Sequence, residues 1–395
     1  AVVAVLLALA VIPVHVTGFT DECRGEMNAW SLAQCFQPGE ENLWRNQLVW
    51  MADHTPPVPT KLTTSFEPPP PGERYDYPEG TYGVLSWWDY GHQIQFDAQR
   101  PPIANPFQQQ APLASRIFTN ATEAGANAIL DDYLGEGYEA RYLAIDDAMV
   151  SNKFGAITVW AGKDDVYQQG GQRQYTLPDS GQRVTLPVLG ETVEDWFLIE
   201  LYYSDGSGHE TWRLVHESNA FSYIGNQARL QQDGLRILRY NDILGRVGAD
   251  DARAAFGSLN FRSGDEFVPA GNNRFAYDVR VAASLKIFER VQGALIEGQA
   301  DPGSEVTATL DLEVLHNART FTYETETTAG PDGTFTLRLP YNTGANVAPA
   351  QGGTDSSVRA LGPYTLTSSG VERTLDVPDR VVLDGGTLQV DLTRA

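Results

Sequence analysis

Lysine is almost missing from this 395-residue chain. Lys61, Lys153, Lys163 and Lys286 are all there is, and the other 24 basic residues are arginine. Against these stand 51 Asp and Glu, for a formal net charge of −23. No basic stripe is available to neutralise phosphates, which excludes nucleic acid as a partner. A carboxylate-rich, lysine-poor surface suits concentrated salt, where screening removes the repulsion between like charges. Cysteine is equally scarce. Cys23 and Cys35 are the only two, too few for a disulfide scaffold or a cysteine-rich zinc site. A bridge between them is open if that region faces an oxidising exterior. The six histidines (15, 54, 92, 209, 216, 316) form no ligand pair at helical spacing. A Gly-x-Ser-x-Gly elbow is also missing, so a serine hydrolase finds no support.

Long apolar runs are rare too, with one exception. Ala1–Val14 carries no charge, and a membrane-spanning helix needs roughly 20 apolar residues. The run reads as the C-terminal half of a transmembrane helix whose remainder lies upstream, kinked by Pro13; a clipped signal segment is the alternative. The acidic remainder has no second run of spanning length. It is expected on one side of the membrane, the extracellular one by the positive-inside tendency.

What is present organises the chain into an α+β protein. The expected boundaries are 1–19 for the end of the membrane helix, 20–283 for a central α/β core, and 284–395 for an antiparallel β-sandwich. Residues 21–55 have amphipathic helical spacing, with Trp44, Leu48 and Met51 on one face, and stop at His54-Thr55-Pro56-Pro57. Pro68–Pro71 marks an extended linker. Val84–Trp88 and Arg141–Ile145 read as short buried strands, and Ala121–Leu134 as a helix. From about 165 the chain becomes β-rich, with strand signals at Trp196–Tyr203, Thr211–Val215 and Phe275–Phe288. Val306, Ala308, Leu310, Leu312 and Val314 then alternate with mostly polar residues, as do Phe335, Leu337 and Leu339, and Leu388, Val390 and Leu392.

Two patterns carry chemistry. The first is Trp87-Trp88-Asp89-Tyr90-Gly91. Indole N–H groups only donate hydrogen bonds and a carboxylate only accepts them. Side by side they can satisfy a hydroxyl, which does both. A buried aromatic pair beside a solvated Asp accounts for the same residues, and the pentapeptide alone leaves both readings open. The second is Asp146-x-x-Met149-x-x-x-Lys153-x-x-x-Ile157. With Asp146 as N-cap, these four would share one stripe of a short helix weakened near its end by Gly155, either a functional face or ordinary amphipathicity.

Together the two patterns resemble the soluble C-terminal region of oligosaccharyltransferase catalytic subunits, most of all the halophilic members of the archaeal AglB family. Further resembling stretches are Trp50-Met51-Ala52-Asp53-His54-Thr55-Pro56, Arg100-Pro101-Pro102-Ile103-Ala104-Asn105-Pro106-Phe107, Arg213-Leu214-Val215-His216-Glu217-Ser218, Phe288–Pro302 and the β-sandwich. The resemblance implies transfer of an oligosaccharide from a dolichyl-phosphate-type lipid to Asn in Asn-X-Ser/Thr, by a protein of the cell membrane. Trp87, Trp88 and Asp89 would bind the hydroxyl of the Ser or Thr two residues past the acceptor, and Met149 would touch the Thr methyl. Tyr90, Gly91, Asp146, Lys153 and Ile157 would support them. The family's catalytic groups and its divalent metal, Mn or Mg, belong to a membrane region that these residues do not include. No catalytic or metal-binding residue is therefore expected here, and Asp164-Asp165 and Asp250-Asp251 read as acidic surface. Asn120-Ala121-Thr122 is itself a sequon. A non-enzymatic, membrane-anchored halophilic surface protein with β-sandwich modules is the competing reading.

Overall fold

A computed structural model describes residues 40–59, 62, 75–135, 138–176, 181–231, 234–263, 268–270 and 274–394. The expected membrane helix end, Cys23, Cys35 and the Pro68–Pro71 linker lie outside them. The chain divides into two compact units, Ala1–Asn46 and Gln47–Ala395; apart from the opening turns of the helix that starts at Glu40, all that follows concerns the second.

A helix over Glu40–His54 stops where expected. Thr55 donates both its N–H (3.2 Å) and its hydroxyl (2.7 Å) to the Met51 carbonyl, and Pro56 has no N–H to continue the ladder. Strand β1 (Tyr82–Leu85) leads into tight helical turns over Trp88–Tyr90, Gly91–Gln93 and Ile94–Ala98. Helices Ala111–Phe118 and Glu123–Leu134 follow, the second capped by the Thr122 hydroxyl on Gly125 N–H at 3.1 Å. Then come β2 (Glu139–Asp146), a helix over Phe154–Ala161, β3 (Gly171–Thr176), β4 (Arg183–Val188) and a helix over Phe197–Ser204. Strands β5 (Trp212–Glu217), β6 (Ala220–Gln231), β7 (Gly234–Gly248), β8 (Val268–Ala270), β9 (Arg274–Ala283) and β10 (Leu285–Arg290) complete the core.

The central sheet runs β1-β2-β10-β5. β1 and β2 are parallel, while β10 is antiparallel to both its neighbours. Both faces are covered: every β2 residue from Tyr142 to Asp146 is buried, as a continuous apolar run between two layers requires. A second sheet, β7-β6-β9-β8, extends beside it.

The C-terminal strands are β11 (Ala294–Gln299), β12 (Glu305–Val314), β13 (Arg319–Thr328), β14 (Thr334–Leu339), β15 (Val358–Ala360), β16 (Tyr364–Ser368), β17 (Val371–Leu375) and β18 (Thr387–Asp391). They form two sheets, β14-β11-β18 and β13-β12-β16-β17, with β15 also on β12. The alternating residues of β12 and β14 are buried as their period demands. One pair departs from the expected antiparallel sandwich: β11 and β18 run parallel. Among the described residues no helix is long and apolar enough to cross a membrane. The architecture is mixed α/β with several largely antiparallel sheets.

Three local expectations are corrected. Trp196–Tyr203 is not a strand. Phe197, Leu198, Ile199, Leu201 and Tyr202 are buried around a helix, and a segment apolar on all sides shows no period that separates helix from strand. Trp87 and Trp88 lie beyond β1 rather than within it. Asp146 does not open a helix. It is the last residue of β2, paired with Leu285, and residues 147–153 form successive turns before Phe154. Tertiary bonds hold those turns. Asp147 is ion-paired to Arg246 at 2.6 Å, and Asn241 donates its amide to the Val150 carbonyl at 2.7 Å. Gly155 therefore stands near the start of the helix, and of the four spaced residues only Ile157 is helical.

Candidate functional site

The pentapeptide occupies the carboxyl end of β1, next to the carboxyl end of its parallel neighbour β2, where binding groups of such sheets gather. Backbone packing holds it there. Val84 N–H donates to the Pro101 carbonyl and Ile103 N–H to the Val84 carbonyl, both at 2.9 Å. The proline-rich 101–106 loop is thereby laid along β1. Gly91 meets that loop so closely that a Cβ would stand 2.5 Å from the Ala104 oxygen and 2.8 Å from Asn105 Cα. No other residue fits without moving backbone.

Trp87 is 2% exposed and belongs to the core. Trp88 lies beside it, with ring centroids 6.0 Å apart and planes tilted by 53°. Asp89 and Lys153 are about one-third exposed, and Lys153 Nζ donates to Asp89 Oδ2 at 2.6 Å. The same ammonium donates to the Tyr90 hydroxyl at 2.7 Å and sits 4.1 Å from the Tyr90 ring centroid. Tyr90 in turn donates to Asp146 Oδ2. Burial, and after it the Asp146 carboxylate, pushes the Tyr90 phenol far above its ordinary value. It therefore stays a neutral donor. Asp146 Oδ1 accepts the Met149 N–H at 2.9 Å.

The structure thus brings Asp89, Tyr90, Asp146 and Lys153 into one hydrogen-bonded chain running from the rim inward. It places Met149 differently from expectation: the side chain has no exposed surface. Its sulfur accepts a contact from the Ser86 hydroxyl at 3.8 Å, so it lies beneath the site. Ile157 is fully buried and belongs to the core.

Two atoms stand out against this order. Trp88 Nε1 and Asp89 Oδ1 are buried without a hydrogen-bond partner, as is Gln93 Oε1 one turn later. Further such side-chain atoms among the described residues, on His209 and Tyr240, lie elsewhere, and none of them pairs a donor with a carboxylate oxygen in adjacent residues. An unmet buried donor or acceptor costs about 1–3 kcal/mol, and such groups cluster where a ligand completes the bonding. The residue types of Trp88 and Asp89 pointed here, but nothing in the sequence distinguished Gln93 or Ser86.

Other expected features are ordinary. Asp164-Asp165 and Asp250-Asp251 sit in the first turns of short helices, where negative charge is favoured. Among the described residues no group of three or more His, Cys, Asp or Glu could hold a metal ion. Asn120 Oδ1 accepts from Thr122 N–H at 3.1 Å, so the sequon forms the turn that starts the next helix.

Comparison with known proteins agrees with this layout. Residues 41–150 match the model of the AglB core domain, and residues 293–388 match that of the archaeal glycosylation protein B long peripheral domain. The chain is 27% identical over 390 residues to dolichyl-phosphooligosaccharide-protein glycotransferase 3 of Archaeoglobus fulgidus, covering 90% of this chain and 43% of the relative. It is 29% identical over 388 residues to dolichyl-monophosphooligosaccharide–protein glycotransferase AglB of Haloferax volcanii, covering 84% and 36%. It spans less than half the length of either. The A. fulgidus oligosaccharyltransferase crystallised with zinc and sulfate shares the fold, with a TM-score of 0.66 at 23% identity, over 92% of this chain and 48% of that one. The same enzyme tethered to an acceptor peptide containing an NVT sequon superposes with a TM-score of 0.67 at 22% identity, over 93% and 48%. With the AglB core model matched over the segment that carries β1 and β2, the AglB peripheral-domain model matched over the C-terminal strands, and curated relatives aligned along 90% and 84% of its length, this chain belongs to the AglB family.

Proposed function

We propose that this chain is the acceptor-recognition region of an oligosaccharyltransferase. The full-length enzyme transfers a glycan from a dolichyl-phosphate-type lipid to Asn of Asn-X-Ser/Thr on the outer face of the cell membrane, and this region holds the Ser or Thr hydroxyl. The observation that carries the reading is the orphaned pair, Trp88 Nε1 and Asp89 Oδ1. An indole N–H and a carboxylate oxygen give a hydroxyl one donor and one acceptor. Lys153 occupies the other Asp89 oxygen, which turns the carboxylate and leaves one oxygen for the ligand. Trp87 backs Trp88 from the core. Tyr90 and Asp146 anchor Lys153, and Gly91 permits the close loop packing.

A site built to pair a hydroxyl rejects a ligand lacking it, because its own polar groups then stay unmet. A Thr methyl contact with apolar surface adds on the order of 1 kcal/mol over Ser. Met149 has no exposed surface and would touch that methyl only if the 147–153 turns shifted. The A. fulgidus relative was crystallised with zinc. A divalent ion of the full-length enzyme would belong with the catalytic groups of its membrane region; among the described residues no group of three or more His, Cys, Asp or Glu could hold one.

The test is Asp89→Ala in the full-length enzyme with Asn-X-Thr peptides. Transfer is expected to fall by about 10²-fold or more, to the level of an Asn-X-Ala peptide, with an unchanged melting curve. Normal transfer by that variant would refute the assignment.

A further inference from the structure

The opposite end of the central sheet holds a cavity of about 730 Å³ that the acceptor reading does not use. β2 connects the two places. Glu139, its first residue, lines the cavity, and Asp146, its last, belongs to the hydroxyl site. Seven residue steps of strand put them roughly 23 Å apart. The volume falls in the range of small-molecule sites, about 300–1,000 Å³.

Six side chains define its chemistry: Tyr82, Tyr138, Arg141, Arg290, Asp131 and Glu139. The charged groups are already fixed. Arg290 holds Asp131 through two parallel bonds of 2.6 and 2.8 Å. Arg141 donates to Glu289 Oε1 at 2.8 Å and to the Gly352 carbonyl at 2.7 Å. Tyr138 stacks on Tyr77 with centroids 4.8 Å apart and planes within 14°, and Tyr75 meets Tyr77 edge-on, also at 4.8 Å. Tyr82 is buried, with the Arg100 and Arg141 guanidiniums over its ring, so the wall offers one aromatic surface, Tyr138 backed by Tyr77, beside rigid, planar, polar forks.

This lining discriminates among ligand classes. Two guanidiniums and two carboxylates cancel, so there is no net field for phosphate or sulfate. Four charged side chains exclude a purely apolar ligand, whose burial would strip them of water. What fits is a neutral molecule with a flat C–H face for Tyr138 and several hydroxyls for the carboxylates and guanidiniums. We propose that this cavity is a carbohydrate-binding site that takes a neutral pyranose unit of an oligosaccharide, separate from the hydroxyl site at the other end of the sheet.

The inference does not depend on the acceptor reading, and its test needs no glycan transfer. The full 395-residue chain, in molar salt, is titrated with maltotetraose, mannotetraose and chitotetraose, and binding is followed by saturation-transfer NMR. Saturation of sugar-ring C–H protons is expected with at least one of the three. Tyr138→Ala and Arg290→Gln should each weaken that binding tenfold or more, while Asp89→Ala leaves it unchanged. Arg290 is partly exposed at the rim, so Arg290→Gln remains informative if Tyr138→Ala fails to fold. No transfer to any of the three sugars, undiminished transfer with folded Arg290→Gln, or displacement of sugar by equimolar inorganic sulfate would each overturn the proposal.

Discussion

The polar groups at the end of β1 and the ion pairs that fasten the C-terminal sandwich to the core are treated in opposite ways. At the fastening every charge is matched. The Glu289 carboxylate, fully buried, accepts from Arg141, Arg213 and the Thr354 hydroxyl, at 2.8, 2.8 and 2.7 Å. Arg213 reaches on to Asp379 at 2.8 Å. Beside it Asp205 accepts from Lys286 (2.5 Å) and Arg319 (2.7 Å), and Arg319 also holds Glu217 at 2.5 Å. At the end of β1, by contrast, an indole N–H and a carboxylate oxygen are buried and unmet. A satisfied network specifies how two layers dock. An unsatisfied pair stores about 1–3 kcal/mol per group that a ligand can recover. The first is structure; the second marks a place left for something else.

The comparison breaks most visibly at Arg319. Arg319→Met leaves Asp205 and Glu217 buried with one cation fewer, and unfolding in urea at high salt should show a loss of about 3–5 kcal/mol. A loss under about 1 kcal/mol would mean the fastening is no more critical than a surface pair.

Acid should act on the fastened side next. Burial, with His316 and His54 close by, drives the His216 imidazole well below its ordinary 6.5. Its two nitrogens meet Ser357 Oγ (2.8 Å) and Gln47 Oε1 (2.6 Å), and Trp50 stacks on the ring at 4.0 Å. His54 in turn faces Asp355, and His316 lies near Glu217 and Arg319. The unfolded chain binds a proton at this residue below pH 6.5 and the folded chain does not. The stability from neutral His216 is therefore full above 6.5 and is lost as pH falls, by up to about 1.4 kcal/mol per pH unit. The slope of urea midpoint against pH between 6.5 and 5 should flatten in His216→Gln; an unchanged slope would assign the acid sensitivity elsewhere. Below that window Asp205 takes over. Burial raises its carboxyl, but Arg319 and Lys286 outweigh burial and bring it down to about 2. Its contribution thus persists until pH falls from 3.8 toward that value.

The smallest effect belongs to the unmet pair. Trp88→Phe removes a donor that bonds nothing, and relief of that unmet group offsets the indole packing that is lost, so stability should change by no more than about 1 kcal/mol. Binding of Asn-X-Thr peptide by the full-length enzyme should still weaken. A loss of several kcal/mol in the melting curve would show that Trp88 is structural.

Much of this was legible in the residues. Alternation over Val306–Val314 reports a strand half-buried on one face, because the pleat has period two. His54-Thr55-Pro56 reports a helix end, because proline lacks the next donor. Trp-Trp-Asp reports complementary donors and acceptors. Trp196–Tyr203 was misread because a segment buried on every side carries no period. The stripe from Asp146 to Ile157 was misread because helical spacing describes only a helix, and contacts from Arg246 and Asn241 hold residues 147–153 in turns instead.

Composition and pattern by themselves thus determined the acidic, lysine-poor character, the β-rich C-terminal half and the family resemblance, all of which depend on residue type and near-neighbour spacing. Only the tertiary structure decided which of the site residues meet. Lys153 reaches Asp89 across 64 positions, Met149 sinks beneath the surface, and Trp88 Nε1 and Asp89 Oδ1 are left without partners. Satisfaction of a buried polar atom is a property of everything packed around it, and no local stretch of sequence contains that information.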